Sequence, residues 1–199
     1  MKEKLIKKRE AIITASRDLF AINGYENTKV EDITRSINIS KGSFYTYFKT
    51  KEDVLFEVIE KLYSEYEKVL ENINKSQDQK SILKEFFKIR LLIHMKYGNI
   101  KDTIIELSLS EVSNEKILSL RNRIISMNTD FIKNNIIMKY NKKGIDEDFV
   151  ADFIERSISG YFISKVKFSN DREKMKKELF SDEVFDKITK FIDDSLSKK

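Results

Sequence analysis

Apolar residues recur every three or four positions along most of the chain, and breaks in that rhythm mark where helices begin and end. Ile12, Ile13, Ala15, Leu19, Phe20 and Ile22 predict a first helix from about Arg9, stopped at Asn23-Gly24. The basic stretch Lys2 to Arg9 either extends that helix or frays. Thr28 followed by Glu31 has the form of a capping box, predicting a short helix from about Lys29 to Ser36 with Val30, Ile33 and Ile37 as its stripe. Asn38 then makes a tight turn, because asparagine tolerates the left-handed backbone, and Ile39 can plug the core beneath it. Ser40 caps a third helix that opens on Lys41, Gly42 and Ser43, with Phe44 and Phe48 four apart and able to point inward together.

Thr50 and Asp53 predict the start of a long helix with the stripe Val54, Leu55, Val58, Ile59, Leu62, Tyr66, Val69 and Ile73, ending near Asn74. Asn74 to Gln79 is a polar break, with Ser76 and Gln79 as a cap for the next helix. That helix runs through Phe87, Leu91, His94 and Tyr97 and is expected to stop at Gly98. Further helices are expected over about 101–109, over about 114–140 with an interruption, from an Asp146 cap to about Phe168, and from Ser181 onward. There is no proline, no persistent two-residue alternation and no internal repeat, so the fold class is all-α. Small residues Ser157, Gly160 and Ser164 form a strip that lets another helix approach closely.

Composition narrows the function classes. Of 199 residues, 40% are apolar and 36% charged, which suits a water-soluble globular protein, and no apolar run approaches a membrane span. No apolar segment of signal-peptide form follows the basic start, so the expected location is cytoplasmic. Absence of cysteine excludes disulfides, thiolate metal sites and cysteine nucleophiles. His94 is the one histidine; it has no identifiable catalytic partner, Ser43 lacks a nucleophile-elbow surround, and no phosphate-cradling glycine loop occurs. The expectation is therefore no catalytic residue, no metal site and no cofactor. Residues 1–51 hold 11 Lys or Arg against 6 Asp or Glu, a net of +5, whereas residues 52–199 hold 27 of each. All the excess positive charge falls in the first 51 residues, the part of the chain that holds the two short helices, which supports a nucleic-acid reader.

A short helix, a tight turn and a second short helix with a small, basic start form the helix-turn-helix pattern of DNA binding. Thr28-Lys29-Val30-Glu31-Asp32-Ile33, Ile39 to Phe48, and Lys51-Glu52 resemble the N-terminal domain of TetR-family transcriptional regulators. The resemblance covers about the first 55 residues. It departs at Thr34, where the family has a small residue, and at Asn38, where the turn usually holds glycine.

The resemblance implies DNA contacts from Thr28, Lys41, Gly42, Ser43, Tyr45, Thr46, Tyr47 and Lys51. It implies a DNA-binding domain over 1–50, a connecting helix over 51–74, and a helical effector-binding and dimerisation domain over 75–199. Candidate pocket residues are Phe87, Leu91, His94, Tyr97, Leu107, Met127, Phe131 and Tyr161. Candidate dimer residues are Phe153, Ser157, Gly160, Tyr161, Ser164, Ile188, Phe191 and Ile192. The implied partners are a pseudo-palindromic double-stranded operator, a second copy of the chain and a small-molecule effector of unknown identity, with no membrane. Two alternatives stay open: a regulator or activator without an effector, and a helical adaptor for another protein.

Overall fold

A computed structural model of the chain describes residues 2–73, 79–109, 115–140, 144–167 and 172–197. Among these residues the order is α1 (Lys2–Asn23), α2 (Val30–Ser36), α3 (Lys41–Tyr45), α4 (Lys51–Ile73), α5 (Gln79–Leu109) and α6 (Glu115–Asn135). A 3-10 turn at Ile137–Tyr140 follows, then α7 (Glu147–Lys167), α8 (Arg172–Leu179) and α9 (Asp182–Ser197). The described residues contain no strand, as the all-α expectation requires.

Local chemistry accounts for most helix ends. The basic lead-in is helical from Lys2, and α1 stops where Gly24 turns to φ 80 and donates its N–H to the Phe20 carbonyl at 3.1 Å. Asn38 adopts φ 53 after α2, with its N–H on the Arg35 carbonyl at 3.3 Å and that of Ile39 on the Thr34 carbonyl at 3.0 Å. Those two bonds are the pair expected when a helix closes on a left-handed residue. Ser40 caps α3, accepting from the Ser43 N–H at 3.1 Å. Thr50 and Asp53 cap α4 reciprocally at 2.9 and 3.0 Å, and Asp146 accepts from the Phe149 N–H at 3.0 Å to cap α7.

Four expectations change. Thr28 and Glu31 do not form the cap of α2; the Asp32 carboxylate accepts from the Lys29 N–H at 3.0 Å, one residue later. The second half of α4 buries Tyr63, Tyr66, Leu70 and Ile73, while Val69 is exposed, because two stripes one residue apart fit the same helical period there. The helix break expected at Gly98 falls one residue earlier, at Tyr97 (φ −124, ψ 19), and beyond it a second helical segment of α5 runs to Leu109. The break is a kink and not a left-handed closure, since the positive-φ glycines are Gly24 and Gly144. Finally, α8 was not anticipated, since it offers only Met175 and Leu179 as buried apolar positions. The expected cap at Ser76 and the expected helix start near Asn114 lie outside the described residues.

The chain divides into two compact units. The first comprises Met1–Tyr66 and Lys96–Arg121, with Ile12, Phe20, Ile33, Phe44, Leu55 and Ile59 in its core together with Ile100, Ile104 and Ile117. The second comprises Glu67–Met95 and Asn122–Lys199, centred on Phe86, Phe87, Leu91, Ile132 and Phe185.

Candidate nucleic-acid interface

The helix-turn-helix is held from behind by aromatic side chains. Phe44 and Phe48 are 0% and 4% exposed with ring centroids 5.8 Å apart, so one face of α3 and the turn after it is anchored in the core. The opposite face is free: Lys41, Gly42, Tyr45 and Thr46 are exposed, and Ser43 and Tyr47 half-buried. The regular helix is shorter than expected, ending at Tyr45, but Tyr47 and Phe48 still donate to the Phe44 carbonyl at 2.9 and 3.1 Å. Thr46 donates its hydroxyl to the Gly42 carbonyl at 3.1 Å. Gly42 has no internal reason to be glycine, since a β-carbon there would find only the Ser40 hydroxyl, at 3.9 Å. What glycine leaves is room for an outside surface to approach the backbone.

Two predicted contact residues serve the scaffold. Thr28 is 0% exposed and donates its hydroxyl to the Gly24 carbonyl at 2.7 Å, so its side chain offers no surface to a duplex. The inward turn of that hydroxyl is also why it cannot cap α2. Lys51 sends Nζ back onto the carbonyls of Tyr25 and Thr28 at 2.7 and 3.0 Å, with the amino group 4.0 Å from the Tyr25 ring centroid. Two of its three donors are therefore committed to the loop before α2. Burial, and behind it the nearby Glu52 and Glu26 carboxylates, push the Tyr25 phenol up to about 12.

Lys41 is paired with Glu31, and both side chains are about half exposed. The hydrogen bond from Lys41 holds the Glu31 carboxyl below its usual range, and the same bond raises the Lys41 ammonium. Sequence reading assigned Glu31 to a cap. Its true partner is ten residues away, and only the packing of α2 on α3 reveals it.

In the second unit, α7 and α9 flank a surface groove of about 460 Å³ lined by Phe153, Ser157, Tyr161, Ile188, Phe191 and Ile192 among others. These are six of the eight predicted dimer residues; the other two, Gly160 and Ser164, are exposed on α7. Phe149, Phe153 and Phe191 are 65%, 59% and 71% exposed, and a β-carbon on Gly160 would meet nothing within 4 Å.

The predicted pocket residues do not share one unit: Phe87, Leu91, His94, Met127, Phe131 and Tyr161 fall in the second, Tyr97 and Leu107 in the first. Phe87, Leu91 and Phe131 are buried, whereas Tyr161 is exposed and lines the α7–α9 groove. A feature that sequence reading passed over lies in the second unit, where the Arg90 guanidinium is 5.5 Å from the Phe86 ring centroid. The Arg90 guanidinium pairs with Glu155, donating at 2.7 Å to Oε1, while Asn128 and Ser159 donate to that same oxygen at 3.2 Å each. Arg90 and Glu155 are 11% and 8% exposed. Their signal was a charged residue inside each of two apolar helical runs.

Among the described residues no helix is long and apolar enough to cross a membrane, and no group of three or more His, Asp or Glu side chains is arranged to hold a metal ion. Residues 12–58 match the family of bacterial regulatory proteins known as the tetR family. The chain is 30% identical over 73 residues to the HTH-type transcriptional regulator YdgC of Bacillus subtilis, covering 37% of each chain. It is 31% identical over 156 residues to the HTH-type transcriptional regulator QacR of Staphylococcus aureus, covering 76% of this chain and 72% of that one. The chain thus spans little more than a third of the first relative's length and nearly three quarters of the second's. Its fold is similar to that of the Bacillus subtilis regulator FadR solved with stearoyl-CoA, with TM-score 0.64 and 19% identity over 92% of this chain and 96% of that one. A match that opens inside α1 and closes inside α4, with a likeness to QacR continuing well beyond it, makes this chain a member of the TetR family of bacterial regulatory proteins.

Proposed function

We propose that the chain is a cytoplasmic transcriptional repressor that binds a pseudo-palindromic duplex as a homodimer and leaves it when a small molecule binds; it has no catalytic role. The observation that carries this reading is the outward face of α3, pinned by Phe44 and Phe48 and opened by Gly42. Such a face suits the major groove, where Ser43, Tyr45, Thr46 and Tyr47 meet phosphates and base edges while Lys41 reaches guanine. Lys51 orients the unit and has one donor left for a phosphate. The functional division runs 1–50 for reading, 51–74 as a connection, and 75–199 for effector and dimer.

Dimerisation uses the α7–α9 face. Three exposed phenylalanines and a glycine with open space beside it favour close approach of an identical face, and a two-fold interface matches a two-fold operator. The effector enters the second unit near Phe87, Leu91, His94, Met127 and Phe131, where the Arg90–Glu155 network supplies polar groups within an aromatic surround. Its binding shifts the population toward a state that cannot engage both half-sites. Family membership and the FadR likeness support a ligand-responsive regulator.

Enrichment of duplexes from a random-sequence pool, followed by anisotropy titration, tests the reading. The wild-type chain is expected to enrich a pseudo-palindrome. Gly42→Ala should fold at least as well, because alanine favours a helix by up to about 1 kcal/mol, yet bind the enriched duplex roughly tenfold more weakly. Unchanged binding by that variant, or no enrichment, would remove α3 from the interface. Stearoyl-CoA is the first effector probe, read as release of the bound duplex.

A further inference from the structure

Glu31 is an acid within the most basic part of the sequence. Residues 1–51 carry the whole of the net charge, and a carboxylate placed there repels the phosphates that the rest of the stretch attracts. The fold makes small use of it, since a carboxylate in the first turn of α2 gains only slightly from the helix dipole. Asp32 already caps α2, and Glu31 is half exposed, so neither helix termination nor core packing depends on it. Its side chain instead lies on Lys41, the first residue of α3, with both groups open to solvent.

The pair therefore presents one donor and one acceptor side by side. In the major groove a G·C base pair presents the complementary arrangement: guanine O6 and N7 accept, and the neighbouring cytosine N4 donates. The guanine O6 and cytosine N4 are themselves hydrogen-bonded, about 3 Å apart, which is the spacing of a Lys–carboxylate contact. An A·T pair reverses the order of acceptor and donor, and a T·A pair keeps it but puts a methyl group where guanine N7 accepts, so a lysine reaching both O6 and N7 matches neither.

We propose that Glu31 and Lys41 act as one reading unit for a G·C base pair in each half-site, Lys41 donating to guanine and Glu31 accepting from the cytosine amino group. The inference rests on the reading of the chain as a duplex-binding regulator and names what part of the sequence it reads. Glu31 is thereby a specificity-determining residue. The bond between them shifts each group further toward its charged form, the Glu31 carboxyl downward and the Lys41 ammonium upward. The pair also has no net charge, so on mixed sequence Lys41 adds little attraction to phosphate. Glu31 weakens binding everywhere except where a cytosine amino group meets it.

The test uses the full chain and its Glu31→Gln and Lys41→Met variants, each titrated by anisotropy against the duplex that wild type enriches from a random pool. Single base-pair replacements, a mixed-sequence duplex, and 7-deazaguanine at the G·C position complete the set. For wild type, A·T in place of the G·C pair, or 7-deazaguanine in place of its guanine, should each cost roughly tenfold in affinity. Glu31→Gln should lose most of that discrimination while binding mixed sequence more tightly, with the logarithmic salt slope steeper by about 0.9 as Lys41 is released to a phosphate. Lys41→Met should lose the 7-deazaguanine effect. Equal losses by Glu31→Gln on every duplex, or an enriched site indifferent to both G·C replacement and 7-deazaguanine, would overturn the proposal. The base analogue needs no protein variant, so a folding defect cannot mask the answer. Failure of wild type to enrich any duplex is a different result, and it removes the regulator reading together with this one.

Discussion

Asn38 sets the angle between the two short helices through its own backbone. At φ 53 an L-residue with a β-carbon is strained, and asparagine is among the few that tolerate it. Asn38→Gly should leave stability within a few tenths of a kcal/mol or raise it slightly, whereas Asn38→Ala should cost about 1 kcal/mol, both read by chemical denaturation. Tyr25 gives a pH prediction. Its phenol titrates near 12 in the folded chain against 10.0 in the unfolded one, so the folded state holds the proton more tightly. The associated stability is present below about pH 10 and is lost as pH rises toward 12. Between about pH 9 and pH 11, Tyr25→Phe should therefore lose less stability than wild type, while keeping a ring beneath Lys51. Lys51→Met should lower the stability of the first unit by about 2 kcal/mol, because two charge-assisted bonds to carbonyls disappear. Asn38, Ser40, Thr50 and the Phe44–Phe48 pair were legible in the sequence because each acts within four residues of itself. The partners of Glu31 and Lys51 lie ten and more than twenty residues away, and Thr28 turns its hydroxyl back to Gly24 instead of forward to α2, choices of which spacing carries no trace.

At the level of helices, the Arg90–Glu155 pair joins α5 to α7, with Asn128 of α6 donating to the same carboxylate. Removing one buried partner leaves the other charge uncompensated. Glu155→Leu alone should destabilise by about 3–5 kcal/mol, while the double variant Arg90→Met with Glu155→Leu should recover most of the loss, as measured in a denaturation double-mutant cycle. Helix existence was readable wherever apolar stripes were long, as in α1, α4 and α7. Which of two adjacent stripes faces inward was not, and α4 shows why: Leu62, Tyr66, Val69 and Tyr63, Tyr66, Leu70 share the same period. The break expected at Gly98 was legible to within one residue, because the helical backbone is interrupted at Tyr97; that it takes the form of a kink and not a full stop was not, since composition does not reveal φ.

For the molecule as a whole, the charge distribution is the feature that sequence alone conveys in full, because it is a count. The make-up of the compact units is not, because packing among distant segments decides it. The first unit combines residues 1–66 with residues 96–121, so the buried Ile100, Ile104, Ile117 and Leu120 belong to the same compact unit as the helix-turn-helix. Asn99 also donates to the Ala21 carbonyl at 2.8 Å. A fragment of residues 1–73 should therefore melt well below the full chain and bind an enriched duplex more weakly, measured by circular dichroism and anisotropy. A ribosome making this protein releases the reading helices early but must add some seventy further residues before their support is complete. Messages cut short in that interval are expected to yield polypeptides fit for proteolysis and unable to occupy a promoter.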